Sequence, residues 1–175
     1  MLQHSKKLIL VLVSILALAG LTACGDDGLE PDTYAVTAVD YGFEGLPDKA
    51  AVGSTLTMTN ASSMEVHELV AIRLPDDETR SGSELMALPM NELMAFAGGV
   101  ETVIVAPPDT EGFAVEGTGE LTQAGRYLIL CGIPTGADPA EYMAAAQASQ
   151  GGPVEVEGGA PHFVNGMWGE IEVVD

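Results

Sequence analysis

The sequence predicts an all-β fold: a Greek-key β-sandwich with antiparallel strands and short helical inserts. Several short segments are strand-like, and two of them alternate between apolar and polar residues, as half-buried strands do. Gly- and Pro-rich turn signals separate them, which is typical of sandwiches. With 47% apolar residues, the chain has enough material for a real core.

The predicted strands follow one another between residues 34 and 174. The segment 52–60 (VGSTLTMTN) alternates and is Thr-rich, and 126–133 (RYLILCGI) is the most strand-like run. In 167–174, apolar residues alternate with Trp168 and two glutamates, which indicates a strand with one buried face. The remaining predicted strands are 34–43, 66–74, 102–105 and 112–115.

Two helical inserts are predicted between these strands. Residues 83–96 have helical spacing, and Pro89 is expected to open a second short helix. Asp138, Pro139 and Glu141 form a helix start, with a cap, a first-turn proline and an acid three residues on, so a helix is expected over 138–150.

Three methionines, Met86, Met90 and Met94, recur at intervals of four in the first insert. Such a stripe usually packs on a core, although it could instead serve as a thioether ladder for Cu(I).

The N-terminus has the features of a secretory signal. Lys6 and Lys7 precede an apolar run at 8–20, and the run is shorter than the roughly 20 residues that span a bilayer. The following Leu-Thr-Ala-Cys24 resembles the lipobox of bacterial lipoproteins, in which the cysteine is acylated after cleavage. We therefore expect a signal peptide at 1–23, a lipidated tether at 24–33 and a domain at 34–175, anchored to the cell membrane outside the cytoplasm. The alternative is an ordinary secretory signal that happens to contain this cysteine.

The expected mature chain is strongly acidic. Residues 1–23 remove two of the six Lys and Arg and none of the 26 acids, so the net charge becomes 4 − 26 = −22. This charge disfavours binding to nucleic acid and to anionic lipid and favours cationic partners. Adaptation to a salty medium would produce the same composition.

Cysteine and histidine are scarce. If Cys24 carries lipid, Cys131 has no disulfide partner within the chain, and only His67 and His162 remain in the mature protein. A closed Cys/His zinc site needs four such ligands, so zinc is disfavoured unless a carboxylate completes it. Two histidines are too few for a multicopper cluster, and no Gly-x-Ser-x-Gly elbow is present.

Three segments resemble the cupredoxins, the small blue copper proteins of the plastocyanin and azurin type. They are 60–67 (NASSMEVH), 125–131 (GRYLILC) and 162–167 (HFVNGM), within a resemblance that covers roughly residues 34–174. The resemblance implies a copper site with His67, Cys131 and His162 as close ligands and Met167 as the axial one. Two imidazoles, a thiolate and a weak thioether suit both Cu(I) and Cu(II).

The sequence departs from the cupredoxin pattern at the ligand loop and beside the first histidine. Thirty residues separate Cys131 from His162, where compact members have a short loop, and the predicted helix at 138–150 fills most of the gap. A loop of this length costs little extra closure entropy. Glu68 stands where a smaller polar residue is common, and Glu65 or Glu68 could replace the methionine as a harder ligand.

These features favour an electron carrier rather than an enzyme. Pro161, Phe163 and Val164 are expected to form an apolar docking spot, and the acidic surface is expected to attract a redox partner with a basic face. Two alternatives stay open, namely a copper chaperone or scavenger that binds Cu(I), and a metal-free cupredoxin-like interaction module.

Overall fold

The computed structural model describes residues 28–149 and 154–175, which form two β-sheets. The strands are β1 (Thr33–Val39), β2 (Gly42–Glu44), β3 (Lys49–Ala51), β4 (Thr55–Asn60), β5 (His67–Arg73), β6 (Val100–Ala106), β7 (Phe113–Glu116), β8 (Gly125–Leu130) and β9 (Trp168–Val174). The first sheet has the order β2-β1-β4, and the second has the order β3-β9-β8-β5-β6-β7.

Strand pairing is mixed rather than wholly antiparallel, which corrects one detail of the prediction. β1 pairs in parallel with β4, from Thr33↔Thr55 to Ala38↔Asn60, and β3 pairs in parallel with β9. After β2 the chain crosses to the second sheet, forms β3 and returns as β4, so β4 runs in the same direction as β1. Parallel partners need such a crossover, which periodicity along one strand does not reveal.

The predicted first strand is in fact a hairpin. Residues 34–43 divide between β1 and β2, which pair in antiparallel fashion across a turn at Tyr41. Tyr41 has a φ of 61°, a left-handed conformation that non-glycine residues seldom adopt.

The second sheet is buried on both faces in its centre. One core lies between the sheets and includes Leu56, Leu69 and Ile129, while a second lies beneath the first helical insert and includes Leu85 and Leu128. β8 serves both cores, which explains why its sequence is a continuous apolar run rather than an alternating one. The prediction of a β-sandwich with short helical inserts is confirmed.

The first insert contains two short helices and a 3₁₀ turn. Helix α1 (Gly82–Met86) begins with a capping box between Ser81 and Glu84, and α2 (Met90–Leu93) begins after Pro89, as predicted. Because the helix is interrupted before Pro89, the methionines do not share one face. The side chain of Met86 packs on the second core, whereas Met90 and Met94 are about half exposed.

The second insert contains helix α3 (Pro139–Ser149), close to the predicted range. The Asp138 carboxylate accepts hydrogen bonds from the backbone N–H groups of Ala140 and Glu141, as the cap prediction requires. Tyr142 is the residue of α3 that is buried.

The predicted signal peptide at 1–23 and lipidation site Cys24 lie outside the described residues. Within 28–149 and 154–175, no helix has the length and apolar character needed to cross a bilayer.

Candidate metal centre

Strand direction brings the candidate ligands to one end of the sandwich. His67 is the first residue of β5, Cys131 follows the last residue of β8, and Met167 precedes the first residue of β9. β8 lies between β5 and β9 and is antiparallel to both. The start of β5, the end of β8 and the start of β9 therefore meet at one edge, which we call the metal pole.

Three donor atoms converge at the metal pole. The Nδ1 atom of His162 lies 3.1 Å from Nδ1 of His67 and 3.3 Å from Sγ of Cys131. One donor atom from each of the three residues lies within 4.8 Å of the others, which is close enough to bind one metal ion.

All three side chains are sealed from solvent and neutral at pH 7. His67, Cys131 and His162 each have 0% relative exposure. Burial, together with the nearby His162, lowers the pKa of His67 to about 4, and burial also lowers the pKa of His162. Burial, followed by the Glu68 carboxylate, raises the pKa of the Cys131 thiol. A metal ion bound here would therefore have to displace the thiol proton.

The imidazole Nε2 atoms have no hydrogen-bond partner among the residues that the structure describes. The nearest acid, Glu65, has Oε2 3.5 Å from His162 Nε2, without hydrogen-bond alignment. Packing also restrains the His162 ring, which lies edge-on against Tyr41 with ring centroids 5.2 Å apart. The two Nδ1 atoms face each other, which without a cation requires that one of them carry the proton.

The long ligand loop is closed at its base. Pro134 and Pro161 form an isolated antiparallel bridge, and Thr135 N–H donates to the carbonyl of Ala160 at 3.0 Å. The residues just after Cys131 and just before His162 are therefore paired, and the inserted helix projects beyond that pair. For this reason Cys131 and His162 lie close together although 30 residues separate them in the sequence.

Met167 is buried and joined to two of the candidate ligands through the backbone. Its carbonyl accepts from the N–H of Cys131 at 3.1 Å, and its own N–H donates to the carbonyl of His162 at 3.2 Å. Gly166, with a φ of 110°, completes the turn between His162 and Met167. Met167 has 0% exposure and belongs to the core cluster that contains Cys131.

Neither candidate carboxylate joins the three donors. Glu68 accepts from Gly132 N–H at 3.0 Å and from the Tyr142 hydroxyl at 2.8 Å. Burial raises the pKa of Glu68, partly offset by these hydrogen bonds. Glu65 accepts from Gly136 N–H and lies toward the Nε2 side of His162. Both glutamates hold the ligand loop in place instead.

Three further residues support the site in ways that the sequence alone did not reveal. Asn60, which is 1% exposed, donates through its amide to the carbonyls of Glu65 and Ala106 and so fixes the segment that precedes His67. Tyr41 packs on His162, and Tyr142 binds Glu68. In the sequence, Tyr142 stands out as the aromatic residue of a helix that is rich in alanine, and this could have indicated its role.

The predicted docking spot is only partly at the surface. Val164 is 60% exposed, but Phe163 is 6% exposed and packs into the second core. The 3₁₀ turn His162–Asn165 turns the Phe163 side chain inward, so this part of the prediction is wrong.

The donor set fits copper better than zinc. Two neutral imidazoles and one thiol, with a thioether residue adjoining them in the chain fold, form the combination of a type 1 site. A structural zinc site needs a fourth strong ligand, and the two nearby carboxylates are engaged elsewhere. The backbone N–H of Glu68 donates to Cys131 Sγ at 3.4 Å, which favours the thiolate form.

No protein-family model and no curated protein matches the chain. Among solved structures, it is similar to dithionite-reduced auracyanin from Roseiflexus castenholzii, at 14% identity and a TM-score of 0.47, over 85% of this chain and 100% of that one. Auracyanin A, a "blue" copper protein from Chloroflexus aurantiacus, is similar at 13% identity and a TM-score of 0.40, over 82% of this chain and 99% of that one. Reduced rusticyanin is similar at 15% identity and a TM-score of 0.40, over 82% of this chain and 80% of that one.

Proposed function

We propose that this chain, a cupredoxin-like sandwich with a buried His-Cys-His cluster, is a type 1 copper protein that carries single electrons. The observation that carries the proposal is the convergence of two Nδ1 atoms and one sulfur in a solvent-free pocket. Bound copper would supply the reversible Cu(II)/Cu(I) couple.

In this proposal the chain's own residues hold the ligands still. His67, Cys131 and His162 supply the equatorial donors, and Met167 the axial thioether. The bridge at the base of the ligand loop and the amide of Asn60 restrain three separate segments around them. A rigid donor set keeps reorganisation small, and the buried pocket excludes water from the thiolate.

The proposed partner is a redox protein with a basic face. All four basic residues of the expected mature chain are paired with carboxylates: Lys49 with Glu172, Arg73 with Asp76, Arg80 with Glu78, and Arg126 with Glu170. The unpaired surface charge is therefore acidic, and we expect association to weaken with salt. Val164 marks the exposed apolar point next to His162. We propose that the lipidated Cys24 holds the domain at the membrane outside the cytoplasm.

The test is to add Cu(II) to the domain that begins after Cys24. We expect one copper per chain, an intense thiolate-to-copper absorption and a reversible reduction potential. Cys131→Ser should remove the absorption, and His162→Gly should alter it until imidazole is added. A folded wild-type domain that develops no such absorption contradicts the proposal.

A second candidate function, Cu(I) handling, is favoured by the exposed methionines. Met90 and Met94 line an apolar cavity of about 230 Å³, bounded also by Phe163 and Leu130 next to the candidate ligands. A Cu(I) carrier should bind a second Cu(I) ion that is lost in Met90→Leu/Met94→Leu, whereas an electron carrier should not. Measuring Cu(I) stoichiometry in the two proteins separates these functions.

A further inference from the structure

The tether leaves the sandwich at the end opposite the metal pole. We infer that the tether keeps the metal pole of the anchored protein away from the membrane, so that the redox partner docks there from the aqueous side. This inference depends on the proposed lipidation of Cys24. It concerns the surface that remains accessible to a partner when the protein is anchored.

The described chain becomes fixed to the sandwich at Pro31 and Asp32. The Asp32 carbonyl accepts from Thr55 N–H at 2.8 Å, and its N–H donates to the hydroxyl of buried Ser54 at 3.2 Å. A Cβ built on Gly53 would lie 3.6 Å from the Pro31 ring, which shows how closely the chain is packed there. We call this end of the sandwich the tether pole.

Strand β1 runs from the tether pole to the metal pole. It begins at Thr33, one residue after the fixed segment, and ends at Val39, two residues before Tyr41, whose ring packs on His162. Seven residues at about 3.3 Å each make β1 about 23 Å long.

Strand β9 provides a second, independent measure of the same separation. It starts at Trp168, next to Met167 at the metal pole, and ends at Val174, whose carbonyl accepts from the N–H of Val52 near the tether pole. Two strands in different sheets therefore place the metal pole one full strand length from the point where the tether emerges.

The tether can reach the metal pole only when it is fully extended. Seven residue steps separate Cys24 from Pro31, which span at most about 24 Å when fully extended. To lay the metal pole on the bilayer, the tether would have to stay fully extended over the whole length of β1. Anionic headgroups would not offset that cost, because the chain is strongly acidic.

The chain's single tryptophan reports on the metal pole. Trp168 follows Met167 and is partly exposed. Leu29, at 43% exposure, lies in the tether itself, so Leu29→Trp in a Trp168→Phe background reports on the tether pole. Both lipidated full chains would be kept reduced and bound to phosphatidylcholine vesicles that contain a dansyl-labelled headgroup lipid.

Energy transfer from tryptophan to the dansyl headgroups should be several-fold weaker for Trp168 than for Leu29→Trp. Inserting ten Gly/Ser residues after Cys24 raises the maximum tether reach to about 58 Å, more than twice the length of β1, and should narrow this difference. Equal transfer from the two positions in the unlengthened chain would overturn the orientation. A wild-type chain that fails to float with the vesicles, as Cys24→Ser should fail, would overturn the anchor itself and the orientation with it.

Discussion

The contact between Tyr142 and Glu68 is the point at which the second insert is attached to the metal pole. Tyr142 is 4% exposed, and its hydroxyl donates to the Glu68 carboxylate, which also accepts from the N–H of Gly132 beside Cys131. Tyr142→Phe removes the hydroxyl and leaves one carboxylate oxygen without its donor. Hydrogen bonds to charged groups contribute about 1.5–3 kcal/mol, and we expect a loss of that order in the free energy of unfolding.

The loss of stability should mainly affect α3 and the ligand loop. Because Tyr142 is the buried residue of α3, the helix amides should exchange with solvent faster in Tyr142→Phe, while those of β8 keep their protection. Opening of the loop between Cys131 and His162 should also speed copper removal by a chelator, by about tenfold for each 1.4 kcal/mol lost from loop closure. Urea unfolding, hydrogen exchange and chelator kinetics measure the three effects.

Tyr34→Phe is the matched control. Tyr34 is partly buried in β1, and its hydroxyl makes no hydrogen bond to any residue in the described part of the chain. Tyr142→Phe could instead unfold at the same urea concentration as this control, with equal hydrogen-exchange protection of the α3 amides. The contact between Tyr142 and Glu68 would then not hold the insert, and the reasoning would be wrong.

Three further predictions concern the support of the site. Asn60→Ala leaves buried carbonyls unpaired and should cost about 1–3 kcal/mol in urea unfolding and broaden the copper absorption; an unchanged midpoint would contradict this role. In the metal-free protein, the pKa of His67 is about 4 in the folded state, against 6.5 for an ordinary histidine. The unfolded state therefore binds more protons, and the free energy of unfolding should fall as the pH is lowered from 6.5 to 4. NMR should show no titration of His67 above about pH 5. Arg126 donates to two backbone carbonyls and to Glu170, so Arg126→Gln should destabilise the fold by about 1–3 kcal/mol, whereas an effect below 0.5 kcal/mol would argue against it.

Local features were readable from the sequence because neighbouring residues encode them. Alternation and turn residues predicted the strands, and Asp138 with Pro139 predicted the start of α3 within one residue. The scarcity of cysteine and histidine singled out His67, Cys131 and His162 before any geometry was known. Each of these inferences needs only composition or a short stretch of chain.

The tertiary structure decided which distant groups meet. His67 and His162 are 95 positions apart, and their contact depends on the order of β5, β8 and β9 in the sheet and on the bridge at the base of the ligand loop. The inward turn of Phe163, the exposure of Met90 and the parallel pairing of β1 with β4 likewise follow from how separate elements pack. Periodicity along one segment specifies a face but not its partner, since pairing and register are properties of two segments at once.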